Sequence, residues 1–207
     1  MDNLEKINQE KWGKIVNKLI ERKLTISTME SCTGGGIANQ ITNISGASYV
    51  IKESYVTYSN EAKIKHGVPS DLIKKFTVYS PEVAISMAQN AKKLSGANIG
   101  IGVTGQLGRI DPSNPVDKLN VVWFSIIDEN DNVIVKEIHV PDCCRNEQKA
   151  FVICAIGDAS KLLKWAIGTR PQLHILTKYF FHSIMLAEVN ITEKLIKREV
   201  RLWYQNL

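Results

Sequence analysis

Leu24-Thr25-Ile26-Ser27-Thr28-Met29-Glu30-Ser31-Cys32-Thr33-Gly34-Gly35-Gly36-Ile37 runs from a short β-branched segment through a polar turn into three glycines and a helical pattern carried by Ile37, Ile41 and Ile44. Strand, turn, glycines and helix in that order place free backbone N–H groups at a helix N-terminus, where they point outward and can meet an anion. Upstream, Trp12, Ile15, Val16, Leu19 and Ile20 share one face of a helix over Leu4 to Lys23. Downstream, Tyr55 to Tyr58 alternates as a second strand, and Ser59-Asn60-Glu61-Ala62-Lys63 opens a helix after it. Ser80-Pro81-Glu82 starts another helix, whose Ala84, Met87, Ala88 and Ala91 form a small-residue face for packing on a sheet. Ile99 to Gly105 reads as a buried strand, followed by a polar loop from Gln106 to Lys118. Val121 to Ile127 and Val133 to Val140 flank Asp128-Glu129-Asn130-Asp131-Asn132 as a hairpin, and a last helix runs from Arg145 to about Trp165. Strands alternating with helices, plus one hairpin, predict an α/β layered sandwich with a mixed sheet.

The whole chain has 207 residues, 44% of them apolar, enough to bury a core. Its longest uncharged apolar stretches fall well short of the roughly 20 residues a bilayer span requires, and the first residues lack the pattern of a secretion signal. A cytoplasmic protein with no membrane association is expected. Cys32, Cys143, Cys144 and Cys154 form no Cys-x-x-Cys pair, so neither a disulfide framework nor a structural metal is expected. The net charge of +5 resides entirely in residues 161–207, which hold 8 basic and 3 acidic side chains. A neutral body has no general pull toward nucleic acid, and no nucleic-acid partner is expected. The pattern breaks at Gly168-Thr169-Arg170-Pro171, which divides a domain over 1–167 from a basic, helical, amphipathic tail over 168–207.

The four His, at 66, 139, 174 and 182, sit in no polar cluster, which leaves a Ser-His-Asp triad without support. A serine can instead be activated by a lysine whose pKa is lowered by burial or by neighbouring cations. Ser31 at the strand-to-helix turn, with Tyr58 and Lys63 after the next strand, supplies such a group, although spacing alone would match many Ser, Tyr and Lys residues.

The blocks Thr28-Met29-Glu30-Ser31-Cys32-Thr33-Gly34-Gly35, Gly46-Ala47-Ser48, Val56 to Lys63, Ser80-Pro81-Glu82-Val83-Ala84 and Val103-Thr104-Gly105 resemble the CinA C-terminal domain, the nicotinamide mononucleotide amidase family. The resemblance covers about residues 5 to 165, in order. It implies a cofactor-free, metal-free amidohydrolase of pyridine nucleotide salvage that converts nicotinamide mononucleotide to nicotinate mononucleotide and ammonia. Carried over by position, Ser31 matches the nucleophile, Lys63 and Tyr58 the groups that activate it, and Thr104 and Arg145 residues lining the site. The N–H groups from Cys32 through Thr33 and Gly34 to Gly35 are placed to meet the oxyanion, and Arg145 and the glycine turns, Gly105 among them, the phosphate. The resemblance also implies a homo-oligomer, commonly a dimer, and the tail is expected to be at least partly buried in it.

The chain departs from the family where the substrate would be held. Gln106-Leu107-Gly108-Arg109 stands in place of an Ala-Gly-Pro turn, and Asn114-Pro115-Val116-Asp117 in place of Lys-Pro-Val-Gly. Cys143-Cys144-Arg145 replaces Gly-Asp-Arg, and Lys149 replaces a second Arg. A lysine does not reproduce a bidentate arginine contact with phosphate. Two classes of function stay open on these residues: an amidase, and a catalytically weak or silent family member that binds a nucleotide or a protein partner.

Overall fold

The computed structural model describes residues 2–115 and 119–160. Five strands form one sheet in the order β2-β1-β3-β4-β5, with β1 at Ile26–Glu30, β2 at Ile51–Val56, β3 at Ile99–Gln106, β4 at Val121–Ile127 and β5 at Val133–His139. The first three are parallel to one another and the last two are added antiparallel, so the sheet is mixed, as expected. The helices are α1 at Asp2–Arg22, α2 at Gly36–Thr42, α3 at Asn60–Lys65, α4 at Ser70–Phe76, α5 at Pro81–Ser95 and α6 at Arg145–Ala159.

Period-two alternation along β3 explains why the sheet carries helices on both faces. Ile99, Ile101 and Val103 point into a core shared with Trp12, Val16 and Leu19 of α1, Ile37 and Ile41 of α2, and Val152 and Ile156 of α6. Gly100 and Gly102 face the other way, against α5. A Cβ on Gly102 would stand 2.2 Å from the Ala84 carbonyl oxygen, and one on Gly100 2.1 Å from that of Ala88. The small-residue face of α5 is thus matched by small residues on the strand beneath it. Met29, Val68, Leu72, Val83 and Met87 fill the rest of this second layer.

The expected helices and the hairpin form, Ser80 caps α5 by accepting from the Val83 N–H, and Ser59 caps α3 by accepting from that of Ala62. Two elements differ from the reading of the sequence. β2 runs over Ile51–Val56 rather than Tyr55 to Tyr58, its early part hidden from the sequence by exposed Lys52 and Glu53 on an edge strand, with Thr57 and Tyr58 beyond its end. α4 has only seven residues, too few for a helical period to show, and it buries Leu72 alone. The end of the last helix near Trp165, the boundary at 167, the tail with its expected oligomer contact, and Asp117 lie outside the described residues. No described helix is long and apolar enough to cross a membrane.

Candidate active site

The parallel register of β1 and β2 pairs Glu30 with Val56, so the residues just beyond each strand, Ser31 and Thr57, leave the sheet side by side. The Ser31 N–H donates to Val103 O at 3.0 Å, which ties the turn to β3 as well. Crevices beyond the carboxyl ends of parallel strands are where open α/β sheets hold ligands.

Lys63 lies one turn into α3, and helical side chains lean back toward the N-terminus of their helix. Its amine therefore returns to the strand ends. Nζ stands 3.1 Å from Ser31 Oγ and donates to Thr57 O at 2.9 Å and to Tyr58 O at 3.4 Å. The side chain is 2% exposed. Burial pulls the pKa of Lys63 down from 10.5 to about 8, partly opposed by nearby acidic groups, Asp111 and Glu61 among them. A neutral amine has two N–H groups and one lone pair. With the two carbonyls taking the N–H groups, the lone pair is left for the Ser31 hydroxyl.

Glu30 builds the turn from beneath. It is fully buried, and its carboxylate accepts from the hydroxyls of Thr28 and Thr33 and from the N–H groups of Ile37 and Ala38. The first turn of α2 is thereby capped from within, and the anion those N–H groups meet is the protein's own. Cys32 lines the cavity beside Ser31. Its thiol is pushed up to about 12, by burial first and by the Glu30 charge second, and so stays protonated. Glu30→Ala strands several buried donors and should cost about 3 kcal/mol, a fall in Tm of about 10 °C by thermal denaturation. An unchanged Tm would show that the turn does not depend on it.

The cavity holds about 410 Å3 and is lined by Ser31, Cys32, Tyr58, Gly105 and Arg145, among the residues singled out from sequence. Arg145, the first residue of α6, donates to Leu107 O at 2.6 Å and to the Tyr58 hydroxyl at 2.9 Å. Tyr58 thus reaches Lys63 only through its backbone carbonyl, and its ring orients Arg145. Thr33 is buried on Glu30, and Gly34 and Gly35 turn away from the cavity with φ of 63° and 91°. Thr104 is buried, does not line the cavity, and donates to Val78 O at 2.6 Å, fastening the segment that carries Tyr79. Lys149 approaches Gly34, and it too is absent from the lining. His66 bonds to Ala62 O and His139 pairs with Glu137, so neither enters the site.

Sequence reasoning missed Tyr79 and Asp111, which line the same cavity, and named Arg109 and Asn114 only as part of an altered substrate-holding loop. Their one signal was the polar loop after β3, whose residues carry no local pattern that points toward Ser31.

An α/β protein with a serine beside a buried lysine at the carboxyl ends of parallel strands is the class that fold and site define. The chain belongs to the CinA C-terminal domain family, whose profile matches residues 8–163. The CinA-like protein of Kosmotoga olearia is 46% identical over 105 residues, covering 49% of this chain and 26% of that one. The chain thus spans about a quarter of the length of curated relatives it matches. The competence/damage inducible protein CihA of Agrobacterium tumefaciens superposes with a TM-score of 0.70 at 30% identity, covering 76% of this chain and 96% of that structure. The CinA superfamily protein of Escherichia coli shares the fold with a TM-score of 0.67 at 23% identity, covering 76% and 89%.

Proposed function

We propose that this protein is an amidohydrolase that cleaves the carboxamide of nicotinamide mononucleotide to nicotinate mononucleotide and ammonia. The observation that carries the reading is the 3.1 Å approach of a buried Lys63 amine to the Ser31 hydroxyl. Neutral Lys63 takes the hydroxyl proton as Ser31 Oγ attacks the amide carbon. The oxyanion that forms meets the Cys32 N–H, and one such donor is worth about 3–4 kcal/mol in a preorganised site. The Lys63 ammonium returns its proton to the departing nitrogen, so ammonia leaves and an ester on Ser31 remains. Water, deprotonated by the same amine, opens that ester and frees the carboxylate. Arg145, steadied by Tyr58, keeps unused N–H groups for the substrate phosphate.

The test is ammonia release from nicotinamide mononucleotide by purified protein, with nicotinate mononucleotide formed in equal amount. Every step runs on side chains and backbone, so pretreatment with a chelator is expected to leave the rate unchanged. Absence of ammonia at high enzyme concentration would contradict the reading. A chelator-sensitive rate restored by a divalent metal would contradict the mechanism.

A further inference from the structure

Asp111 stands in the loop after β3 and lines the cavity that holds Ser31. Its Oδ2 accepts from the Tyr79 hydroxyl at 3.1 Å and from Asn114 Nδ2 at 2.8 Å, and its Oδ1 accepts from the Ser113 N–H at 3.0 Å. The Asn114 amide, then the Ser113 N–H and the Tyr79 hydroxyl, hold the carboxyl below its ordinary range, so it is ionised at neutral pH. Among the described residues it forms no ion pair. Asn114 also pairs with Asn60 of α3, at 2.9 and 3.3 Å, which ties the carboxylate to the short helix that carries Lys63. The cavity therefore presents a negative charge fixed by hydrogen bonds and engaged in no direct ion pair, with Lys63 acting on it from a distance, on the framework that positions the serine.

We propose that Asp111 is a specificity-determining residue that reads positive charge on the ring bearing the scissile amide. The inference rests on the amidase reading and narrows its substrate class to carboxamides on a quaternary pyridinium. In nicotinamide mononucleotide the ring nitrogen is bonded to the ribose and carries a full positive charge. A carboxylate held in no direct ion pair is complementary to that cation. The dihydro form of the same nucleotide has nearly the same shape and a neutral ring, so the site should discriminate against it. Asp111 also makes an Asx turn with Ser113, a role that an asparagine can fill without the charge.

The experiment measures binding by titration calorimetry to the Ser31→Ala protein, which cannot turn substrate over, using nicotinamide mononucleotide and its dihydro form as ligands. Adding Asp111→Asn should weaken binding of the cationic ligand about tenfold and leave the neutral one within about twofold. If the double variant is poorly folded by circular dichroism, Asp111→Ser makes the same comparison. Equal weakening of both ligands, or no change in either, overturns the inference. Wild-type ammonia release alongside such a result leaves the amidase reading standing. No binding of either ligand together with no ammonia release removes that reading, and the inference with it.

Discussion

Ser31→Ala should yield a folded protein in which ammonia release from nicotinamide mononucleotide has fallen by about 10^4-fold or more, the scale seen when a nucleophile acting in concert with its base is removed. Cys32 is adjacent, but its thiol is held protonated up to about 12 in a buried site. Stability should hardly move, because among the described residues Ser31 Oγ has one polar contact, with Lys63, and losing a single hydrogen bond is worth about 1 kcal/mol. A Tm within a few degrees of the parent, measured beside the rate, separates loss of chemistry from loss of fold. Parent-like turnover by the variant would place the nucleophile elsewhere.

Lys63 carries the second large effect. Its amine is the base only when neutral, so kcat/KM should climb as pH rises through about 8 and level off above it. Lys63→Met should abolish the climb together with the activity. The same group shapes stability. In the unfolded chain a lysine keeps its proton until about 10.5, whereas the folded protein releases it from about 8. Between those values the unfolded state binds more protons, so folding gains stability with rising pH across that window, and below 8 the burial cost stands in full. Denaturant titrations of parent and Lys63→Met should therefore converge or cross between pH 8 and pH 10.5. A flat kcat/KM profile from pH 6 to pH 9, or a stability difference that ignores pH, would remove Lys63 from this role.

Much of the scaffold was legible because its signals are local. Ser59 and Ser80 announce their helices, and the apolar run from Ile99 announces a buried strand. The pairing of Ser31 with Lys63 was not local. The two are joined by the register of β1 on β2 and by the backward lean of a helical lysine, neither of which spacing reveals, so the resemblance to a family had to supply it. The roles of Glu30 and Thr104 were hidden for a related reason. Each acts on backbone that is remote in sequence or across a turn, Glu30 on α2 and Thr104 on Val78, so residue type alone gives no sign of what it holds. Asp111 was less visible still, because a polar loop reads as solvent-facing until the fold brings it beside Tyr79 and Asn60.

The account stands on a Ser31 hydroxyl made nucleophilic by a neutral Lys63, and a serine-directed fluorophosphonate tests that without assuming any substrate. The protein is labelled at a series of pH values, digested, and the modified serine and its rate are read by mass spectrometry. The adduct should fall on Ser31, its rate should rise with a midpoint near 8, and labelling should vanish in Lys63→Met. A Ser31 labelled no faster in the folded protein than in the urea-unfolded chain would contradict the account.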